Sequence, residues 1–303
     1  MSPLLLALLV AAAQPPPPKP VALPAARGLP LLGSPSFTPD GRSVLVVRSA
    51  ASGDARLYLL PLSHPGREQA LDTEAGVVPT RAALSHDGKR LAWLAAGELW
   101  VGPAPGGDAG DPVRLYPPKS GDAPLGVKLS HFVWSPDDAW LLIQSPDGWG
   151  RVAADTGEVT PFGAHAIDLT GGSIVLGGDG LHAAFVRPTS GPGWINGAKV
   201  IGLNLATGQA QVADFDNDYT ELLALSDSQL AGMDASGNLW VLRGKKRVLW
   251  FQPPAAGAHA TVGDYALSLD GSRIAYVVSF ASGAPSQLWV GAAPRPPPWP
   301  KRE

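Results

Sequence analysis

Six times along the chain, an apolar residue and a small polar one lead into an aspartate turn followed at once by a β-prone run. The clearest copies are Phe37-Thr38-Pro39-Asp40-Gly41, Leu84-Ser85-His86-Asp87-Gly88, Trp134-Ser135-Pro136-Asp137-Asp138 and Leu267-Ser268-Leu269-Asp270-Gly271. Looser copies centre on Asp179 and Asp227. From Asp40 to Asp270 the aspartates step by 47, 50, 42, 48 and 43 residues. A period of that length marks an array of similar supersecondary units rather than one mixed domain.

Each turn is followed by a strand pattern, such as Val44-Leu45-Val46-Val47 or Leu91-Ala92-Trp93-Leu94, and then by a second, such as Leu99-Trp100-Val101 or Leu288-Trp289-Val290. Turns with Asp-Gly or Thr-Gly supply residues that accept positive φ in hairpins. One period thus reads as an inner strand, the aspartate turn and three further short strands, which is one antiparallel blade. The expected fold is all-β, a six-bladed β-propeller of four-stranded antiparallel blades. Composition agrees: 36 glycines and 32 prolines in 303 residues would interrupt long helices, while 45% hydrophobic residues suffice for a core. The last blade runs into prolines before a fourth strand appears. The segment 21–32, with Pro24 and Pro30, suits an outermost edge strand, where a missing N–H is tolerated. It is expected to close the ring.

The aspartate turn with its Leu-Trp-Val strand resembles the repeat of TolB-type, WD-repeat-like six-bladed propellers. It also resembles the propeller domain of prolyl oligopeptidase and dipeptidyl peptidase IV relatives. The resemblance runs from Leu31 to Val290. It implies the fold. It carries no specific activity, because TolB has an additional α/β domain and the peptidases a hydrolase domain, neither of which is expected here, and propellers host many functions.

Residues 1–13 carry an apolar run from Leu4 to Ala13 with the small-residue pattern Ala11-x-Ala13, which reads as a signal peptide. Residues 14–20 then form a Pro-rich linker, 21–293 the propeller and 294–303 a Pro-rich C-terminal tail. The expected location is periplasmic or secreted. No other run is apolar enough to span a bilayer, so no membrane span is expected. With no cysteine, disulfides, thiolate metal sites, cysteine nucleophiles and a lipidated cysteine anchor are excluded. The formal net charge of -3 argues against nucleic acid as a partner.

Linear catalytic motifs are missing: there is no Gly-x-Ser-x-Gly, no His-Glu-x-x-His and no phosphate-cradling Gly-rich loop. The six histidines show no ligand-like spacing, though side chains from several blades can meet at a propeller axis. The repeated aspartate has a local explanation, since its carboxylate accepts backbone N–H groups two residues on. One acidic cluster stands out, Asp214-Phe215-Asp216-Asn217-Asp218-Tyr219-Thr220-Glu221. Asp214, Asp216, Asp218 and Glu221 are candidate Ca²⁺ ligands, but Tyr219 stands where a Ca²⁺ loop of the EF-hand kind needs Gly. The competing reading is a solvated linker between blades four and five, and no cofactor or metal is expected.

Strand order places that linker on one face with the loop 188–199 of blade four and the loop of blade three that holds Trp149. Trp149 and Trp194, set among glycines, with Asn196, Asp216 and Asp218, form the candidate binding surface, the alternative being that each tryptophan covers its own blade edge. Trp93, Trp100, Trp134, Trp240 and Trp289 fall at repeat positions and are expected between blades; Trp140 and Trp250 carry no assignment. The function these observations favour is a monomeric, non-enzymatic module that binds a protein or peptide partner through its loop face. The alternatives are a lyase or hydrolase with a channel site, or a regulatory partner of a separately encoded peptidase. Convergence of His, Arg and Asp in the channel within about 3 Å would favour an enzyme.

Overall fold

A computed structural model of the chain describes residues 21–23, 31, 35–49, 55–71, 79–107, 110–118, 123–126, 128–145, 148–162, 174–189, 197–213, 219–226, 229–243, 246–254, 260–282 and 284–296. Every helix or strand among them is a strand. β1 (Val21–Leu23) precedes blade one, which holds β2 (Ser36–Phe37), β3 (Ser43–Ser49), β4 (Ala55–Pro61) and β5 (Gln69–Leu71). Blade two holds β6 (Pro79–Leu84), β7 (Arg90–Ala95), β8 (Glu98–Pro103) and β9 (Val113–Tyr116). Blade three holds β10 (His131–Trp134), β11 (Trp140–Ser145), β12 (Gly148–Ala153) and β13 (Val159–Phe162). Blade four holds β14 (Ile174–Leu176), β15 (His182–Thr189), β16 (Gly197–Asn204) and β17 (Ala210–Ala213). Blade five holds β18 (Glu221–Ser226), β19 (Gln229–Met233), β20 (Leu239–Arg243) and β21 (Lys246–Phe251). Blade six holds β22 (Ala260–Leu267), β23 (Arg273–Phe280) and β24 (Gln287–Ala292), and β1 is its fourth strand. The inner strands β2, β6, β10, β14, β18 and β22 touch one another in that order, and β22 returns to β2. The chain is a six-bladed β-propeller of antiparallel four-stranded blades.

The second strand of each blade explains why the blades stack. β7 is buried at every position after Arg90, because neighbours cover both faces. Alternation then sorts its side chains: Ala92 and Leu94 enter the cluster shared with blade three, while Leu91, Trp93 and Ala95 enter the one shared with blade one. β3 does the same, sending Leu45 and Val47 towards blade two and Val44 and Val46 towards blade six. Among the described residues, each of the six apolar clusters joins two adjacent blades. The core is therefore six radial seams rather than one centre.

The aspartate turns hold the inner hairpins. Ser135 donates its hydroxyl to Asp137 Oδ1 at 2.6 Å and accepts the Trp140 N–H at 3.0 Å. Asp137 in turn accepts the Ala139 N–H at 3.1 Å. Thr38 with Asp40, Ser85 with Asp87 and Ser268 with Asp270 repeat the arrangement. These hydroxyl bonds hold the carboxyls below their ordinary range, down to about 2 at Asp270. In blade four Asp179 takes the Leu181 N–H and pairs with His182 Nδ1 at 2.6 Å; Asp227 lies outside the described residues. Blade three departs informatively. Asp138 stands at φ 58°, where the turns of blades one, two, four and six place glycine, and its carboxylate accepts the N–H groups of His86 and Asp87 at 2.8 and 2.9 Å. A side chain in a glycine position here ties blade three to blade two.

Ring closure follows the sequence expectation. β1 pairs antiparallel with β24, Val21 opposite Val290 and Leu23 opposite Leu288. Leu23 is buried in the seam between blades six and one. At the other end Trp250 Nε1 donates to Pro294 O at 2.8 Å, so the start of the C-terminal tail packs on blade five. Residues 1–20 lie outside the described residues. Leu23→Ala should cost about 2 kcal/mol, lowering the melting temperature by roughly 4–8 °C. Leu249→Ala, at an exposed outer-strand position, should leave it unchanged. Thermal unfolding of both variants checks this, and equal melting of the two would mean that β1 is not a structural clasp.

Candidate functional site

The expected loop surface is only partly in view. Trp194, Asn196, Asp214, Asp216 and Asp218 lie outside the described residues. The blade-four loop is shorter than read from sequence, because Pro188 pairs with Ala198 and Thr189 with Gly197 inside the hairpin. Trp149 is not a loop anchor. It sits in β12 opposite Gln144 and Phe162, is 4% exposed, and packs its ring 4.7 Å from that of Phe185 in blade four. Its flanking glycines allow close packing: a Cβ on Gly150 would come within 2.8 Å of Leu125 and 3.0 Å of Thr160 O. Trp93 and Trp134 are buried between blades as expected, and Trp100 stacks on Trp93 at 6.5 Å. Glu221 belongs to no linker. It opens β18 at the axis, and its Oε1 accepts the Tyr265 N–H at 2.8 Å.

The register of the inner strands shows what Glu221 joins. Arg81 on β6 stands opposite Leu94, His131 on β10 opposite Gln144, and Glu221 on β18 opposite Met233. Those partners are equivalent, each three residues beyond the start of the run Leu91, Leu141 or Leu230. In blade six the same level falls on Gly263, opposite Val277, and a bulge there raises Asp264 into φ 52°. That bulge turns Tyr265 into the seam with blade five, where its hydroxyl donates to Gly237 O at 2.7 Å. Four blades therefore bring Arg81, His131, Glu221 and Asp264 to one level of the channel. A guanidinium and an imidazole come from blades two and three, the acids from the opposite blades five and six.

The electrostatics follow from this geometry. Glu221 keeps partial solvent exposure, yet the narrow channel desolvates it and Asp264 adds like charge, so its carboxyl is pushed up to about 8. The Tyr265 N–H and Arg81 oppose that rise without cancelling it. Desolvation, then the charge of Arg81, holds His131 down at about 4, so its ring is neutral at pH 7. Desolvation also lowers Arg81, against the pull of Glu221 and Asp264; the guanidinium stays a cation. Arg81 makes no hydrogen bond or close ion pair among the described residues, and no described group hydrogen-bonds His131 Nδ1.

Chemically this is a dipolar ring that can receive a ligand's charged end. Among the described residues no three His, Asp or Glu side chains are placed to hold a metal. The channel set was missed by searching along the chain for motifs. The signal was present around the ring: Arg81, His131 and Asp264 each precede the turn serine, Ser85, Ser135 or Ser268, by four residues.

Fold and site together define a six-bladed propeller with a charged channel. No family model matches the chain, and no curated protein matches it. Among solved structures it is similar to TolB from Acinetobacter baumannii, at 18% identity and a TM-score of 0.48 over 88% of this chain and 55% of that one. It is also similar to the Pan2 WD40 domain of Neurospora crassa, at 12% identity and a TM-score of 0.53 over 84% of this chain and 74% of that one. The chain spans about half the length of the TolB structure. Likeness at these identities establishes the fold alone. No helix among the described residues is long and apolar enough to cross a membrane.

An acid with a raised folded-state pKa binds its proton more tightly folded than unfolded. Glu221 therefore withdraws stability as pH rises from 4.5 to about 8. His131, lowered from 6.5 to about 4, has the opposite slope between those values. Above pH 6.5 only Glu221 of the pair still titrates. Glu221→Gln should therefore flatten the fall in melting temperature between pH 6.5 and 8, and should be the more stable protein at pH 8.5. Parallel slopes for wild type and variant across that window would contradict the assignment.

Proposed function

We propose that the protein is an exported, non-enzymatic binding propeller that engages a protein or peptide partner at its channel. The observation that carries this reading is the meeting of Arg81, His131, Glu221 and Asp264 at one level, with the donors of Arg81 unengaged among the described residues. Rigid strands hold all four, and such preorganised polar groups suit recognition. Export rests on the apolar run from Leu4 to Ala13 and the Ala11-x-Ala13 pattern. With Trp149 buried, the partner's anchor moves from the loop face to the channel mouth.

One observation favours the enzyme reading: a carboxyl poised at about 8 could serve as a general acid. Against it, Arg81 is hydrogen-bonded to none of His131, Glu221 and Asp264, so the convergence within about 3 Å that proton transfer needs is not met by it.

Fractionation with N-terminal sequencing of the exported protein should give a chain beginning at Gln14. Charged residues in place of Leu5 and Leu8 should retain it inside. A photo-crosslinking residue at Leu269, 61% exposed beside the channel mouth, should capture a partner in cells, whereas one at Val113, 47% exposed on an outer blade edge, should not. Retention of the wild type inside the cell would refute export. Equal capture at both positions would refute engagement at the channel.

A further inference from the structure

Beside Arg81 the channel wall opens into a cavity of about 230 Å³ between the inner strands of blades one, two and three. Ser36, Ala83, Leu84, Phe132 and Trp134 are among its walls, and His86 stands towards the aspartate-turn face. A second cavity of about 190 Å³ shares Ser36, Leu84 and His86 with it and continues to Leu269 at that face. The path is thus mixed along its sides, with Ala83 and Leu84 beside Ser36 and His86, and has a guanidinium at its inner end. Trp134 is fixed by donating its Nε1–H to Ala83 O at 3.2 Å, and His86 by Asp138 Oδ1 at 2.8 Å. The walls are set before any ligand arrives.

Arginine presents five N–H donors in a planar fork that matches a carboxylate. At Arg81 none of them is engaged among the described residues, although channel desolvation makes a bare charge unfavourable. The acids that share its level lie on blades five and six, across the axis, and act on it only through space. A multiply charged phosphate would meet one cation and repulsion from Asp264. A single carboxylate would find a fork of the right shape and an apolar wall for the group behind it.

We propose that this cavity binds the carboxylate of an apolar-ended ligand, with the carboxylate on the Arg81 guanidinium and the attached apolar group between Ala83, Leu84, Phe132 and Trp134. Resting on the binding-module reading, this deepens it: a peptide partner would enter by its C-terminus from the aspartate-turn face, its preceding residues leaving past His86 and Leu269. The cavity is smaller than a drug-sized pocket, so it holds a chain end or a small organic acid rather than a whole folded surface. His131, at the same level with its Nδ1 unpartnered, is the nearest reporter of an arriving anion.

Calorimetric titration of the full chain tests this with three probes: 4-methylpentanoate, a tetrapeptide ending in a free leucine carboxylate, and the same peptide amidated. The free-acid peptide should bind at least about tenfold more tightly than the amide. Arg81→Gln should lose that preference, and Arg81→Lys should keep part of it, having charge without the fork. Binding of the small acid alone would assign the site to a free organic acid, and binding of the peptide to a chain end; either supports the carboxylate site. Should Arg81→Gln fail to fold, the wild type decides: the free acids, and not the amide, should shift the His131 ring resonances in NMR. Equal binding of acid and amide peptides would overturn the carboxylate site while leaving a peptide-binding module standing. No binding or ring shift at millimolar acid would also overturn it, and crosslinking from Leu269 would then judge the module reading separately.

Discussion

A sheet set on edge around an axis has two faces and no interior of its own. Both faces must be covered, so each blade depends on the next, and the last on the first. The sorting of β7 shows how one strand serves two neighbours: Ala92 and Leu94 go one way, Leu91 and Trp93 the other. An open arc would leave one set of side chains in water at each end. Leu23 and Leu288 together fill the seam between blades six and one, so the N-terminal strand completes the blade that covers the first. Closing the circle with β1, from the far end of the sequence, makes the ends of the propeller interdependent.

Closure also decides which polar groups are free for function. The turn aspartates attract attention as a repeated acidic set, yet each described one is occupied by backbone N–H groups and a local side chain. Asp138 goes further and spans two blades. The inner strands, by contrast, pair on one side only, which leaves their other edge towards the axis. Chemistry in this protein therefore gathers where the repeat stops prescribing residue types, at one level of the inner strands ahead of the turn. Arg, His, Glu and an Asp on a bulge occupy equivalent places there, while the turn that follows them is nearly constant.

The fold was legible because a period of Asp turns and β-branched runs is a local signal repeated six times. The closing strand was legible for a similar reason: blade six had a strand missing, and 21–32 had one to spare. The site was harder to read. Glycines beside Trp149 looked like loop residues, whereas Gly150 is there because Leu125 and Thr160 press against the strand. Glu221 looked like the end of an acidic linker because the run before it is rich in aspartate, and only pairing with Met233 identifies it as a strand residue. Arg81, His131 and Asp264 are far apart along the chain, and their common offset from the turn serine has meaning only once the blades are superposed.

The placement of opposite charges across one narrow opening raises the question of why they do not simply pair. In a six-fold ring blades two and five face each other, and their strands are fixed by the seams behind them. Arg81 and Glu221 feel each other, but the backbone cannot close the distance without opening a packed interface. Glu221 instead takes the Tyr265 N–H and, with Asp264 beside it, favours its protonated form near neutral pH. Protonation removes the acid that stands opposite Arg81 and leaves the guanidinium less compensated than its surroundings suggest. A rigid frame thus keeps the guanidinium away from acids that a softer site would let it reach, and that cation is what gives the channel something to offer an incoming anion.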